Sequence, residues 1–165
     1  MRIAGLEQFA GSARIWIFSA ERELDRDEED DLLGSVDNFL DGWTAHGVPL
    51  RAARSWRYKR FLIVGVDLEA APPSGCSIDA LVKVLGALEG RLGVRFLGNE
   101  AVWYRDEAGF IRKASRPRFR ALARMGRVTP GSVVFDNSIT VLSELRAGRW
   151  EGPARERWHA ALFPA

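Results

Sequence analysis

Ile15-Trp16-Ile17-Phe18 follows Arg14 without a polar break, so an extended segment there carries apolar side chains on both faces. That is the pattern of a strand covered on both sides. The acidic stretch from Asp25 to Asp31 opens a helix, in which Leu32, Leu33, Val36, Phe39, Leu40 and Trp43 fall on one stripe. Its acids occupy the first turns, where the helix dipole favours negative charge. His46-Gly47 reads as the stop, with Gly47 as a left-handed cap. From Leu50 to Tyr58 the chain alternates, with Leu50, Ala52, Arg54, Trp56 and Tyr58 on one face, as in an edge strand. The continuously apolar run Phe61 to Val66 belongs in mid-sheet. Beyond the turn-rich segment from Ala71 to Gly75, a second helix buries Ile78, Leu81, Leu85, Leu88 and Leu92. Ser77 is its expected N-cap and Gly93 its end. A short strand from Val94 to Leu97 follows.

The order β-α-β-β-α-β predicts an α+β protein with a ferredoxin-like sandwich over residues 1–98. In that topology the first and third strands are central, and these are the two most apolar ones here. The helices cover only one face of such a sheet. The other face therefore needs a cover, from the C-terminal segment, a second subunit or a ligand.

Residues 99–165 form a small α/β extension, expected to pack on the core. Strands at 101–104 and 110–113 are joined through Asp106-Glu107-Ala108-Gly109. A basic helix with Phe119, Leu122 and Ala123 inward follows, ended by Gly126. Then come a strand at Val133-Val134-Phe135 and helical segments near 140–147 and 153–162, anchored by Trp150 and Trp158.

Composition supports a packed core, with 47% hydrophobic residues, six Trp and nine Phe. No apolar run approaches the roughly 18 residues needed to span a bilayer. Met1-Arg2-Ile3-Ala4-Gly5 lacks the features of a secretory signal, and Cys76 is the single cysteine, so the expected location is the cytoplasm. The formal charge of +2 conceals strong segregation. Residues 1–47 hold eleven acids and four bases, whereas 48–60 hold five bases and 110–127 seven, both without an acid. Such blocks steer anionic partners or pair with each other within the fold.

Cys76 is the sharpest chemical candidate, because a helix N-terminus favours a thiolate. Ser77 adds a hydroxyl beside it, and Asp79 a carboxylate that opposes a thiolate. The structural alternative is a small buried thiol. The fold described above separates the end of helix one from the start of helix two, and so separates Cys76 from His46. His159, beside Trp158, reads as a surface residue. With one Cys and two His no metal site is expected, and no cofactor. Asp136-Asn137 follows a strand end, where loops present functional groups or form an Asx-turn. Arg54, Trp56, Arg57 and Tyr58 interleave bases with aromatics, as a nucleic-acid surface would. The RNA-recognition pattern of aromatics is incomplete in Phe61-Leu62-Ile63-Val64, and the acidic N-terminal third repels a polyanion.

His46-Gly47-x-Pro49-Leu50, Gly75-Cys76-Ser77-Ile78-Asp79 and Thr129-Pro130 with Phe135-Asp136-Asn137 stand alongside Arg14-Ile15-Trp16-Ile17 and Trp158. Together these resemble a family of small bacterial proteins of unestablished function, over nearly the whole chain. Its members often carry the label ABC-transporter ATPase. The residues contradict that label, since no Gly-x-x-x-x-Gly-Lys-Ser/Thr loop is present to cradle phosphates. Residues 101–150 also resemble bacterial GYF-type modules, which implies peptide binding. Ala114-Ser115-Arg116-Pro117 stands where those modules carry Gly-Pro-aromatic.

The leading expectation is a non-catalytic binding or regulatory protein acting through protein partners. A thiol-dependent enzyme or redox protein using Cys76 and an RNA-binding protein are the alternatives, and homodimerisation would cover the second sheet face.

Overall fold

Strand β1, Arg14–Ala20, leads to helix α1, Arg26–Asp41. The computed structural model describes residues 5–98 and 100–165; Asn99, expected to open the extension, and the residues before Gly5 lie outside the described set. A capping box starts α1. Glu28 N donates to Asp25 Oδ1 and Asp25 N donates to Glu28 Oε2, each at 2.9 Å. The helix closes at Gly42, short of the His46-Gly47 stop. Those two residues instead turn a small hairpin between β2, Thr44–Ala45, and β3, Val48–Pro49, with φ of 51° and 76°. Two consecutive left-handed residues suit the tight hairpin turn better than a helix cap.

Strands β4, Ala52–Arg57, and β5, Phe61–Val66, form the next hairpin. The alternation through Tyr58 does not continue as strand, because Tyr58 and Lys59 both adopt left-handed backbone at φ 55°. Helix α2 runs Gly75–Leu92 and ends on Gly93, whose left-handed φ of 65° matches the expected stop. Its N-cap is Ser74 rather than Ser77, and Ser77 is the third helical residue of a second capping box. Cys76 therefore lies inside the first turn, not ahead of it. Strand β6, Phe96–Leu97, completes a four-stranded antiparallel sheet of order β4-β5-β1-β6.

Register divides the two faces of this sheet. Trp16 faces Val64, and Phe18 faces Leu62. These side chains join Leu32, Val36 and Leu40 of α1 and Leu81, Leu85 and Leu88 of α2 in one core. On the opposite face Ile15, Ile17, Ala53, Phe61 and Ile63 are buried as well. Leu6, in a 3-10 turn at Leu6–Gln8, lies against Gly65 there. Contacts divide the chain into two units. The first comprises the described residues through Leu97 together with Thr140–Ser143, which borders β1 through hydrogen bonds from Ile15 N to Thr140 O and from Leu142 N to Ala13 O.

The second unit comprises Gly98–Ile139 and Glu144–Ala165. Strands β7, Ala101–Arg105, and β8, Ile111–Ser115, form a hairpin whose loop is tied by Asp106 Oδ1, which accepts from Ala108 N and Phe110 N at 3.0 Å. Helix α3, Arg116–Arg124, starts on Ser115, whose Oγ accepts from Arg118 N, with Pro117 in the first turn. Strand β9 is Val133–Phe135, helix α4 is Leu142–Arg146, and strand β10 is Glu151–Pro153. The sheet order is β10-β9-β7-β8, again antiparallel. A small core gathers Val102, Tyr104, Phe119, Val128, Val134 and Leu162. Two 3-10 turns, Ala154–Glu156 and Trp158–Leu162, close the chain. The fold is α+β.

Candidate functional site

Of the three residues singled out for catalysis, Cys76 and Ser77 lie in the first turn of α2 and Asp79 just beyond it, and they differ sharply in what they can do. Ser77 is buried, and its N–H and hydroxyl hold the helix start. Its N–H donates to Ser74 Oγ at 3.2 Å, its Oγ accepts from Ser74 N and donates to Ser74 O, both at 2.7 Å. The Trp43 indole donates to Ser77 O at 2.8 Å. That bond brings the end of α1 beside the start of α2, which the sequence expectation held apart. Cys76 and Asp79 are exposed, and Cys76 Sγ makes no hydrogen bond among the described residues. His46 is exposed in its hairpin turn.

The basic-aromatic segment on β4 is engaged by helix α1. Arg54 and Trp56 occupy the helix-facing side of the sheet, in register with Val64 and Leu62. Arg54 forms a bidentate pair with Asp37 at 2.8 and 2.9 Å, and the Trp56 indole donates to Glu29 at 2.9 Å. Nearby, Arg51 pairs with Asp67 at 3.1 Å. Arg57 reaches Ser55 Oγ at 3.3 Å, and Tyr58 meets Phe61 edge-on. Acidic and basic blocks of the sequence thus meet within the first unit.

Asp136 and Asn137 are buried in local bonding. Asp136 Oδ1 accepts from Ser138 N at 3.0 Å and from the Ser138 hydroxyl, the side-chain turn expected of such a residue. Asn137 Oδ1 accepts from the Trp150 indole at 2.9 Å. His159, expected at the surface, is instead fully buried, at 0% exposure. Its ring stacks on Trp158 at 3.9 Å, and neither ring nitrogen has a hydrogen-bond partner among the described residues. Burial pushes the imidazole down to about 4, with Arg157 and Arg116 adding to the effect and Asp136 opposing it. The missed signal was the 3-10 geometry of Trp158–Leu162, in which residues three apart share a face. His159 therefore shares the inward face with Leu162, which is also buried.

Helix α3 is the contrasting element. It contains Arg116, Arg118, Arg120 and Arg124 and no acid. All four arginines are exposed, and none meets a carboxylate among the described residues. Arg116 lies over the Trp158 ring at 4.8 Å. Spacing of four residues sets Arg116, Arg120 and Arg124 in a row along the helix. Beside that row is a shallow groove of about 150 Å³ lined by Arg120, Arg124, Ala161, Leu162, Phe163 and Pro164. A larger depression, about 250 Å³, mixes Arg127 with the carboxylates of Asp106 and Glu107. The unit that carries α3 has twelve bases and seven acids, a formal +5, whereas the first unit has twelve bases and fifteen acids, a formal −3.

Among the described residues no cluster of side chains could hold a metal ion, and no helix is long and apolar enough to cross a membrane. No family model, curated protein or solved structure matches the chain.

Proposed function

We propose that this is a non-catalytic binding protein that contacts a protein partner through α3, with a ferredoxin-like first unit as its scaffold. The observation that carries the reading is the set of four exposed α3 arginines that meet no carboxylate among the described residues. Exposed guanidiniums attract an anionic partner over about a Debye length and form bidentate bonds on contact. The strand order β4-β5-β1-β6, with antiparallel pairing throughout and both helices in one core, supports the ferredoxin-like scaffold. A free, exposed thiol suits a reducing compartment such as the cytoplasm.

Binding of the full chain to fluorescent poly-L-glutamate, followed by anisotropy against salt, tests the reading. Replacing Arg116, Arg120 and Arg124 with Gln is expected to weaken binding by about tenfold or more and flatten the salt dependence. Equal binding by the variant would overturn it.

A second reading takes Cys76 as a thiol nucleophile and is favoured by its exposure. It requires a base within hydrogen-bond reach of Sγ. Loss of partner binding or of a measured turnover in Cys76→Ser would promote it over the first.

A further inference from the structure

We propose that α3 and its adjoining groove dock an acidic segment of a partner protein, carboxylates on the Arg116-Arg120-Arg124 row and one apolar side chain in the groove. This rests on the reading of α3 as the partner-facing element and specifies what that element takes. Residues four apart advance about 6 Å along a helix and drift by about 40°, so the three arginines form one gently winding ridge. Carboxylates four apart on a partner helix repeat at the same interval of about 6 Å, so each meets a guanidinium.

The groove supplies what charge alone does not. Its walls are Ala161, Leu162, Phe163 and Pro164, and among the described residues the charged ones lining it are Arg120 and Arg124. An apolar side chain flanked by acids satisfies both kinds of wall at once. The larger depression carries two carboxylates, Asp106 and Glu107, and would repel the same segment.

A nucleic-acid strand fits less well. Its bases require free aromatic faces. Here Phe163 packs on Phe119, and Trp158 is stacked on His159 with Arg116 over its ring. Among the described residues that line the groove there is no side-chain amide or hydroxyl for reading base edges.

The test uses the full chain with short synthetic helical peptides bearing Glu at every fourth position and one Leu between two of them. A matched peptide has Ala for that Leu, another has Gln for every Glu, and a single-stranded oligonucleotide carries the same net charge. The Leu peptide is expected to bind in a salt-dependent manner and about tenfold more tightly than the Ala peptide. Ala161→Trp, which fills the groove from an exposed position, should abolish that preference, so that the variant binds the Leu and Ala peptides alike. Equal affinity for Leu and Ala peptides, with both still lost in the arginine variant, overturns the groove assignment and leaves the α3 reading standing. Failure of every acidic peptide to bind overturns both. Tighter binding of the oligonucleotide assigns the row to nucleic acid and overturns the inference.

Discussion

Arg54 of β4 and Asp37 of α1 are joined by two hydrogen bonds, Nε to Oδ1 at 2.8 Å and Nη2 to Oδ2 at 2.9 Å. Both side chains are partly shielded from solvent. The pair ties the edge strand to the helix covering the sheet and gives the first basic block an intramolecular role. In the second basic block Arg112 pairs with Asp106 at 2.8 Å, whereas the arginines of α3 meet no carboxylate among the described residues. Charge density in the sequence is similar at the two places, and the difference lies in what the fold sets opposite each one.

Arg54→Ala and Asp37→Ala should each destabilise the protein, with a coupling in a double-mutant cycle of about 1 kcal/mol. Neither should change binding to acidic polypeptide at saturating fold. Urea denaturation of the four proteins measures the coupling. A coupling of zero would reduce the pair to an incidental contact.

Gly65 of β5 lies under Leu6. A Cβ there would overlap Leu6 Cδ2 and come within 3.6 Å of Ile15 Cγ2. Gly65→Ala is therefore expected to cost about 1–3 kcal/mol by overpacking. Leu6→Ala, itself destabilising, should recover part of that cost in the double variant. Additive losses would contradict this packing of the second sheet face.

Stability should depend on His159. Its folded value of about 4 lies below the ordinary 6.5, so between these values the unfolded chain binds a proton that the folded chain does not. Stability then falls as the pH drops below 6.5 and levels off below the folded value, a loss on the order of 3 kcal/mol. Asp136, Arg157 and Arg116 are the charged groups acting on the ring. His159→Phe retains an aromatic ring beside Trp158 and removes the titration. Its urea midpoint should change less than wild type between pH 7 and pH 5, and an equal change in both would contradict the assignment.

Cys76 should be alkylated by iodoacetamide in the native protein, because it is exposed. Cys76→Ser should preserve stability and peptide binding. In contrast Ser74→Ala, which removes the α2 cap, should cost about 1 kcal/mol. Labelling of Cys76 only after denaturation would contradict its placement.

The helical stripes and the apolar strands were legible because burial imposes a period on them: Leu32, Val36 and Leu40 on α1, and all six residues of β5. Features set by backbone sign were not. His46-Gly47 and Tyr58-Lys59 turn through left-handed conformations, and only one of those four residues is glycine. Strand β10 was missed because Gly152 and Pro153 are poor strand formers, tolerated here at the end of the sheet beside β9. At the candidate sites, the composition of Arg54-Ser55-Trp56-Arg57 and of α3 is alike in the residue types that bind anions. Separating them needed the tertiary fact that Asp37 and Glu29 stand opposite the first. The burial of His159 was likewise invisible without the 3-10 turn that directs it inward.

Backbone amide NMR of the full chain during titration with poly-L-glutamate addresses the α3 face most directly. Saturable shifts concentrated in Arg116–Arg124 and at Ala161 to Phe163, with β4 and the first turn of α2 unmoved, are the predicted result. Shifts concentrated at Ala52–Arg57 or around Cys76, or none at low salt, would contradict it.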